Sequence, residues 1–204
     1  MRRCRKGYIR DMTKEEFIEI LDKKRYSYEI EGDNIVVTHK RDVDLESLKS
    51  LPPGVVFENG GYVDLSALTS LPPGVKFKNE GYVFLTALTS LPPGVVFKNG
   101  GDVFLRALTS LHPGVVFENG RDVRLSALTS LPPGVEFRNE GYVDLESLTS
   151  LPPGVKFRNG GDVYLRSVFL DSLIVGWFSG WDGNIKGIDS KRLLNLMIKR
   201  GIFL

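Results

Sequence analysis

The residues of this chain able to do covalent or metal chemistry are few. There is one cysteine, Cys4, and two histidines, His39 and His112. A cysteine nucleophile needs an imidazole within hydrogen-bond reach and a third group to orient it. Nothing in the pattern brings either histidine to Cys4, and His112 stands where the neighbouring segments have proline, which reads as drift. A zinc site needs three or four thiolate, imidazole or carboxylate ligands at close spacings, and one thiol with two distant histidines does not supply them. A lone cysteine forms no internal disulfide, which fits a reducing, cytoplasmic setting. No phosphate loop, nucleophile elbow or dinucleotide fingerprint is present. The expectation is a protein that is not an enzyme and that calls for no cofactor or metal.

The better candidates are residues that vary against a fixed background. From Val43 the chain repeats every twenty residues: VDLESLKSLPPGVVFENGGY, VDLSALTSLPPGVKFKNEGY, VFLTALTSLPPGVVFKNGGD, VFLRALTSLHPGVVFENGRD, VRLSALTSLPPGVEFRNEGY, VDLESLTSLPPGVKFRNGGD and a partial VYLRS. Three variable columns flank the constant Val and Leu that open each unit. They are Asp42, Tyr62, Tyr82, Asp102, Asp122, Tyr142, Asp162; Asp44, Asp64, Phe84, Phe104, Arg124, Asp144, Tyr164; and Glu46, Ser66, Thr86, Arg106, Ser126, Glu146, Arg166. Tyr62, Tyr82, Phe84 and Phe104 fall together, and at roughly 150–250 Å² each they rival the largest apolar patch of an ordinary monomer. Arg106 and Arg124, with carboxylates, supply a polar rim, and Tyr142 and Tyr164 extend the series. The expected chemistry is recognition of a protein partner. The competing reading is an aromatic ladder that only stabilises a sheet.

These columns need strands to position them. Val and Leu alternating with variable residues have the period of two of a half-buried strand, with Val63 and Leu65 inward and Asp64 and Ser66 outward. Val75, Phe77 and Asn79 make a second extended leg whose outward residues, such as Lys76, Lys78, Lys98, Arg138, Lys156 and Arg158, read as a solvated face, with a phosphate-binding stripe as the alternative. The Leu-Thr-Ser-Leu segment adds two inward leucines. Pro-Pro-Gly turns one corner and Asn-Gly-Gly or Asn-Glu-Gly the other. Asn59, Asn79, Asn99, Asn119, Asn139 and Asn159 recur without exception, as do Ser50, Ser70, Ser90, Ser110, Ser130 and Ser150. Such recurrence predicts structural ladders, each side chain bonding its equivalent in the next coil and the corner backbone. One unit has too little apolar surface to fold alone, so stacking makes the core. Six to seven coils at the spacing of paired strands give a body on the order of 30 Å long.

The expected fold is a mainly β repeat solenoid, of leucine-rich-repeat-like or β-solenoid coils, with small α+β caps at both ends. Residues 1–12 are a basic extension. Met12 followed by Thr13 to Glu16 reads as a natural start, so residues 1–11 are either an extension or an upstream start. Residues 13–41 give a helix opened by a capping box, then a hairpin over Tyr26–Ile30 and Ile35–Thr38. Residues 42–166 hold six and a half repeats. Residues 167–204 give a second hairpin around Gly176–Ile185, with Trp177 and Trp181 in its core, and a helix opened by Asp189 or Ser190 and closed by Gly201.

With 42% hydrophobic and 25% charged residues the composition is that of a soluble chain, and a net charge of +2 does not argue for nucleic acid. The ends are more basic: Arg2, Arg3, Arg5, Lys6 and Arg10, then Lys186, Lys191, Arg192, Lys199 and Arg200. They support nucleic-acid or anionic-surface binding as an alternative. No apolar run nears the roughly 20 residues of a membrane span, and no signal-type core follows the N-terminus, so no membrane association is expected.

Gly-Tyr-Val-Asp-Leu-Ser followed by Leu-Thr-Ser-Leu-Pro-Pro-Gly-Val resembles the degenerate leucine-rich repeats of bacterial and bacteriophage proteins, over about residues 43–166. The usual repeat is a little longer and carries an Asn or Thr ladder after its Leu-x-Leu strand, where Ala or Ser followed by Leu stands here. Closure as a horseshoe or as a straighter β-solenoid stays open. The resemblance implies binding to another macromolecule, in the manner of a phage or bacterial inhibitor or adaptor. A structural, self-associating homo-oligomer is the remaining alternative.

Overall fold

The computed structural model describes residues 12–152 and 154–165 and the backbone of 185–186. The repeats form a β-solenoid in which each coil contributes one strand of two or three residues to each of two long sheets. The first sheet stacks Val43–Asp44, Val63–Asp64, Val83–Phe84, Val103–Phe104, Val123–Arg124, Val143–Asp144 and Val163–Tyr164, followed by Ile185–Lys186. The second stacks Val55–Phe57, Lys76–Phe77, Val96–Phe97, Val116–Phe117, Glu136–Phe137 and Lys156–Phe157. Pairing between coils is parallel and offset by twenty residues at every step. A third ladder, which the sequence pattern did not announce, joins Ser90–Leu91 to Ser110–Leu111.

Alternation puts Val and Leu of the first leg and Val and Phe of the second inside. Val63, Leu65, Leu68, Val75 and Phe77 are fully buried, and so are their equivalents Val83, Leu85, Leu88 and Phe97. Phe57, Phe77, Phe97, Phe117, Phe137 and Phe157 stack along the axis with centroids 5.2–5.4 Å apart and planes within 13° of parallel. The parallel strands set that spacing, since equivalent atoms of paired strands lie about 4.8 Å apart. Leu45, Leu65, Leu85, Leu105, Leu125 and Leu145 each accept a bond from the N–H three residues on, which turns the chain after the first leg. The Pro-Pro-Gly corner ends on a left-handed glycine in every described coil, from Gly54 at φ 78° to Gly154 at φ 82°, a conformation that costs other residues a clash at Cβ.

The asparagines bond the corner backbone as expected but not one another: each Asn Nδ2 donates to backbone carbonyls, Asn59 to Arg41 O at 3.1 Å in the coil before, and to Gly61 O and Tyr62 O at 3.0 Å in its own corner. Asn79, Asn99, Asn119 and Asn139 repeat the pattern. The amide is chosen for its donors, because the corner turns several carbonyls inward together; some, such as Gly61 O and Tyr62 O, also accept a backbone N–H, and the amide adds a second bond to them. The six Oδ1 atoms are buried with no hydrogen-bond partner, a cost accepted for tying successive coils. The serine ladder is also corrected. Ser70, Ser90, Ser110, Ser130 and Ser150 are exposed, and the hydroxyls that climb the coils belong to threonines, as in Thr109 Oγ1 to Thr89 O at 3.1 Å and Thr149 Oγ1 to Thr129 O at 3.1 Å.

Helix α1 (Lys14–Lys24) starts at the capping box of Thr13 and Glu16 and ends at Arg25 in the left-handed conformation. Strands β1 (Tyr28–Glu31) and β2 (Asn34–Val37) form an antiparallel hairpin, and β2 joins Val55–Phe57 in parallel, at the N-terminal end of the second sheet. Phe17 and Leu21 reach into the solenoid core. The backbone of Asp44 on the outermost strand of the first sheet is met by side chains: Tyr26 Oη accepts from its N–H at 3.0 Å, and Lys24 Nζ donates to its carbonyl at 2.7 Å. The expected C-terminal hairpin, helix and tryptophans, and the basic run of residues 1–11, lie outside the described residues. Ile185–Lys186 pairs in parallel with Val163–Tyr164.

Candidate functional site

The outer face of the first sheet carries the variable columns, and the twenty-residue register sets each column one strand apart. Where the second column is aspartate, the carboxylate turns back on its own chain. Asp44 Oδ1 accepts from Glu46 N at 3.1 Å, Asp64 Oδ1 from Ser66 N at 2.9 Å, and Asp144 Oδ1 from Glu146 N at 3.2 Å. These aspartates close local turns and stay low on the surface. In the first column Asp42 Oδ1 accepts from Tyr62 N and Asp122 Oδ1 from Tyr142 N, both at 3.0 Å, linking adjacent coils. Close packing of the corner accompanies these bonds, since a Cβ on Gly61 or Gly141 would lie 2.1 or 2.2 Å from the same carboxylates. In that glycine column the exceptions are Arg41 at its head and Arg121.

Where the second column is aromatic or arginine, a continuous strip results that joins every predicted site residue. Phe84 and Phe104 stack at 4.7 Å with planes 13° apart. Tyr62 meets Phe84 edge-on at 5.8 Å, and Tyr82 meets Phe84 at 6.1 Å and Phe104 at 6.2 Å. The Arg124 guanidinium lies 5.1 Å from the ring centres of both Phe104 and Tyr142, Arg106 lies 5.6 Å from Phe104, and Tyr142 meets Tyr164 at 5.4 Å. Phe84 and Phe104 are half-buried, more covered than their outward register implied, because they cover one another; Tyr82 is the most open at 39%. Both faces of Phe104 are occupied, by Phe84 from the coil before and Arg124 from the coil after. Phe104, at the centre of the strip, therefore offers its ring edge, not a face, to the outside. A base or sugar that binds by stacking needs a free face; an edge suits side-chain packing.

Arg124 is the polar node of the strip. Its Nη2 donates to Asp102 Oδ2 at 3.2 Å and Asp122 Oδ2 at 3.4 Å, and Asp102 is only 7% exposed. Burial, then the neighbouring Asp102, hold the Asp122 carboxyl above the ordinary range, against the pull of Tyr142 N–H and Arg124. Burial pushes the Tyr142 phenol up to about 12. Near the other end of the strip, burial and then Asp42, Asp44 and Asp64 raise the Tyr62 phenol.

The second sheet presents a different surface. Its outward cations, read as a solvated or phosphate-binding stripe, are largely matched by carboxylates of neighbouring coils. Lys78 pairs with Glu58 at 2.8 Å, Lys98 with Glu118 at 2.8 Å, Arg138 with Glu118 at 3.2 Å and Glu136 at 2.9 Å, and Arg158 with Glu136 at 3.3 Å. The Lys98 and Arg138 bonds hold Glu118, and the Arg138 bond first of all Glu136, below the usual carboxylate range. Sequence periodicity placed these cations outward but missed their partners, which come from offsets of two, twenty and twenty-two residues.

Among the described residues no group of three or more His, Cys, Asp or Glu is placed to hold a metal ion. Among them, too, no helix is long and apolar enough to cross a membrane. Comparisons with protein-family models, with curated proteins and with solved structures find no match.

Proposed function

We propose that the chain is a binding module that docks a macromolecular partner, a protein, on the strip of Tyr62, Tyr82, Phe84, Phe104, Arg106, Arg124, Tyr142 and Tyr164, in the manner of an inhibitor or adaptor. One observation carries the reading. On this face alone the local aspartate turn gives way on consecutive coils to Phe84 and Phe104, whose edges stay half-exposed although the interior already has its own phenylalanine stack. Centred aromatics, an arginine in their midst and a rim of carboxylates are the composition of interaction hot spots. The matched ion pairs of the second sheet support this reading over nucleic-acid binding there, because paired cations have less charge to offer a phosphate. The test is affinity capture from the producing cell with wild-type and Phe84→Ser/Phe104→Ser baits of equal folded content. Specific loss of the captured protein with the double variant is expected. Equal recovery with both baits would sink the proposal.

A further inference from the structure

Four of the six corner asparagines are followed by glycine, in Asn59-Gly60, Asn99-Gly100, Asn119-Gly120 and Asn159-Gly160, whereas Asn79 and Asn139 are followed by Glu80 and Glu140. Asn-Gly is a labile context for the side-chain amide in water, because glycine has no Cβ to hinder its backbone nitrogen from reaching the asparagine Cγ. That attack needs a backbone nitrogen free to lose its proton and an amide free to swing over it. It also needs a hydrogen-bond donor for the charge that develops on Oδ1.

The packed corner withholds each of these. Gly60, Gly100, Gly120 and Gly160 donate their N–H groups to carbonyls one turn back, at 2.9, 2.9, 2.8 and 3.0 Å. The amides are tied across two turns, as at Asn119, whose Nδ2 donates to Gly101 O at 3.1 Å and to Arg121 O at 3.0 Å. Asn159 does the same with Gly141 O at 3.2 Å and Gly161 O at 2.7 Å. Every Oδ1 of the column is buried without a hydrogen-bond partner, so an oxyanion formed there has no donor to stabilise it. The four side chains are at most 2% exposed. We infer that these four asparagines are modification sites gated by the fold: their amides persist while the coils are stacked, are converted to aspartate and isoaspartate once the chain unfolds, and the conversion then bars refolding.

In the unfolded chain the glycine N–H gives its proton to hydroxide and the nitrogen pair bonds to Cγ. The Cγ–Nδ2 bond breaks, and Nδ2 takes a proton from water and leaves as ammonia. Water then opens the cyclic imide at either of its carbonyls, giving aspartate or isoaspartate; nothing is oxidised or reduced. Both products work against the corner. Aspartate sets a carboxylate against the carbonyls that Nδ2 served. Isoaspartate lengthens the backbone by a methylene, in a stack whose strands pair at a fixed twenty-residue offset.

The test incubates the full chain at mildly alkaline pH, folded in buffer and unfolded in guanidinium chloride, with circular dichroism to verify each state. Peptide mapping by mass spectrometry follows each asparagine, with isoaspartate resolved from aspartate. In denaturant the four Asn-Gly sites are expected to convert, with Asn79 and Asn139 several-fold behind as controls within the same chain. In the folded chain conversion at Asn99 and Asn119, in the central coils, is expected to fall by at least about a hundredfold, following the fraction of time those coils are open. On dilution from denaturant the refolded yield should drop as conversion proceeds, and the refolded fraction, separated by size exclusion, should be depleted in converted peptides. Equal conversion in the folded and unfolded chain, or at Asn79 and Asn139 as fast as at the Asn-Gly sites, overturns the gating. A refolded fraction as rich in aspartate and isoaspartate as the fraction that fails to refold overturns the bar to refolding.

Discussion

Replacing Arg124 by methionine keeps the length and apolar stem of the side chain and removes only the guanidinium. Four contacts are lost: two ring faces at 5.1 Å, Phe104 and Tyr142, and bonds to Asp102 and Asp122 at 3.2 and 3.4 Å. At a half-exposed site each ring contact contributes about 0.5–1 kcal/mol. Removing one partner of a buried ion pair costs about 3–5 kcal/mol, and the Arg124 side chain, at 28% exposure, lies short of that limit. The expected loss is about 2–3 kcal/mol near neutral pH, which for a chain of this size is a fall of about 4–12 °C in melting temperature. Calorimetry or denaturant titration followed by circular dichroism measures it. The loss is also expected to depend on pH. Asp122 is a carboxyl whose folded pKa lies above its unfolded value, so the folded state holds the proton more tightly. Without Arg124 that pKa rises further, and the deficit relative to wild type narrows as pH falls through it. In a cycle with Asp102→Asn the two changes should couple by at least about 1 kcal/mol. A deficit under about 0.5 kcal/mol at neutral pH, or one that does not change with pH, refutes the assignment of Arg124 as the cation that holds this carboxylate pair.

Phe97→Ala opens a void in a stack whose other members are fixed, and should cost about 3–5 kcal/mol, whereas Phe84→Ala on the half-exposed face should cost about 1 kcal/mol; equal losses in denaturant titration would mean the outer stack is structural. Asn99→Asp replaces donors to Gly81 O and Gly101 O by a carboxylate facing those carbonyls. It is expected to destabilise by more than Asn99→Ala, itself about 1–3 kcal/mol, with the excess vanishing in acid as the carboxylate is protonated. Glu136 has a folded pKa below the ordinary 4.5. Its ion pairs with Arg138 and Arg158 therefore contribute fully above that value and are lost as pH falls through the folded pKa. The melting-temperature gap between wild type and Glu136→Gln should close as pH falls through that folded pKa; a gap that is the same at neutral pH and in strong acid counts against the pairing.

The candidate site was legible to the extent that it is periodic. Phe84 and Phe104 were found because alternation assigns them outward while Val83 and Leu85 go in, and a twenty-residue register places them side by side. What alternation does not carry is the behaviour of each side chain once there. Asp64 and Phe84 occupy equivalent positions, yet the carboxylate folds onto its own backbone, as Asp44 and Asp144 do, while the ring stacks on the next coil because Phe104 stands there. The asparagines were legible as structural and as partners of the corner backbone, but which carbonyls they meet, and that they do not bond one another, was not: the inward carbonyls arise from the corner's backbone path, not from any residue type. The serines were misassigned because serine and threonine alternate at adjacent positions, and which hydroxyl climbs the ladder depends on the side of the turn it occupies.

The sequence alone determined the repeat, its length, the residues of the core and the face on which variation is displayed, because steric and hydrophobic rules act on nearest neighbours and return every twenty residues. The tertiary structure decided that the coils close as a β-solenoid with two long sheets and a short third ladder. It also decided that the cations of one face are matched by carboxylates, and that Arg124 links Phe104 to Tyr142 while holding Asp102 and Asp122. Those outcomes depend on contacts between coils, where distance in space is set by strand stacking and not by separation along the chain.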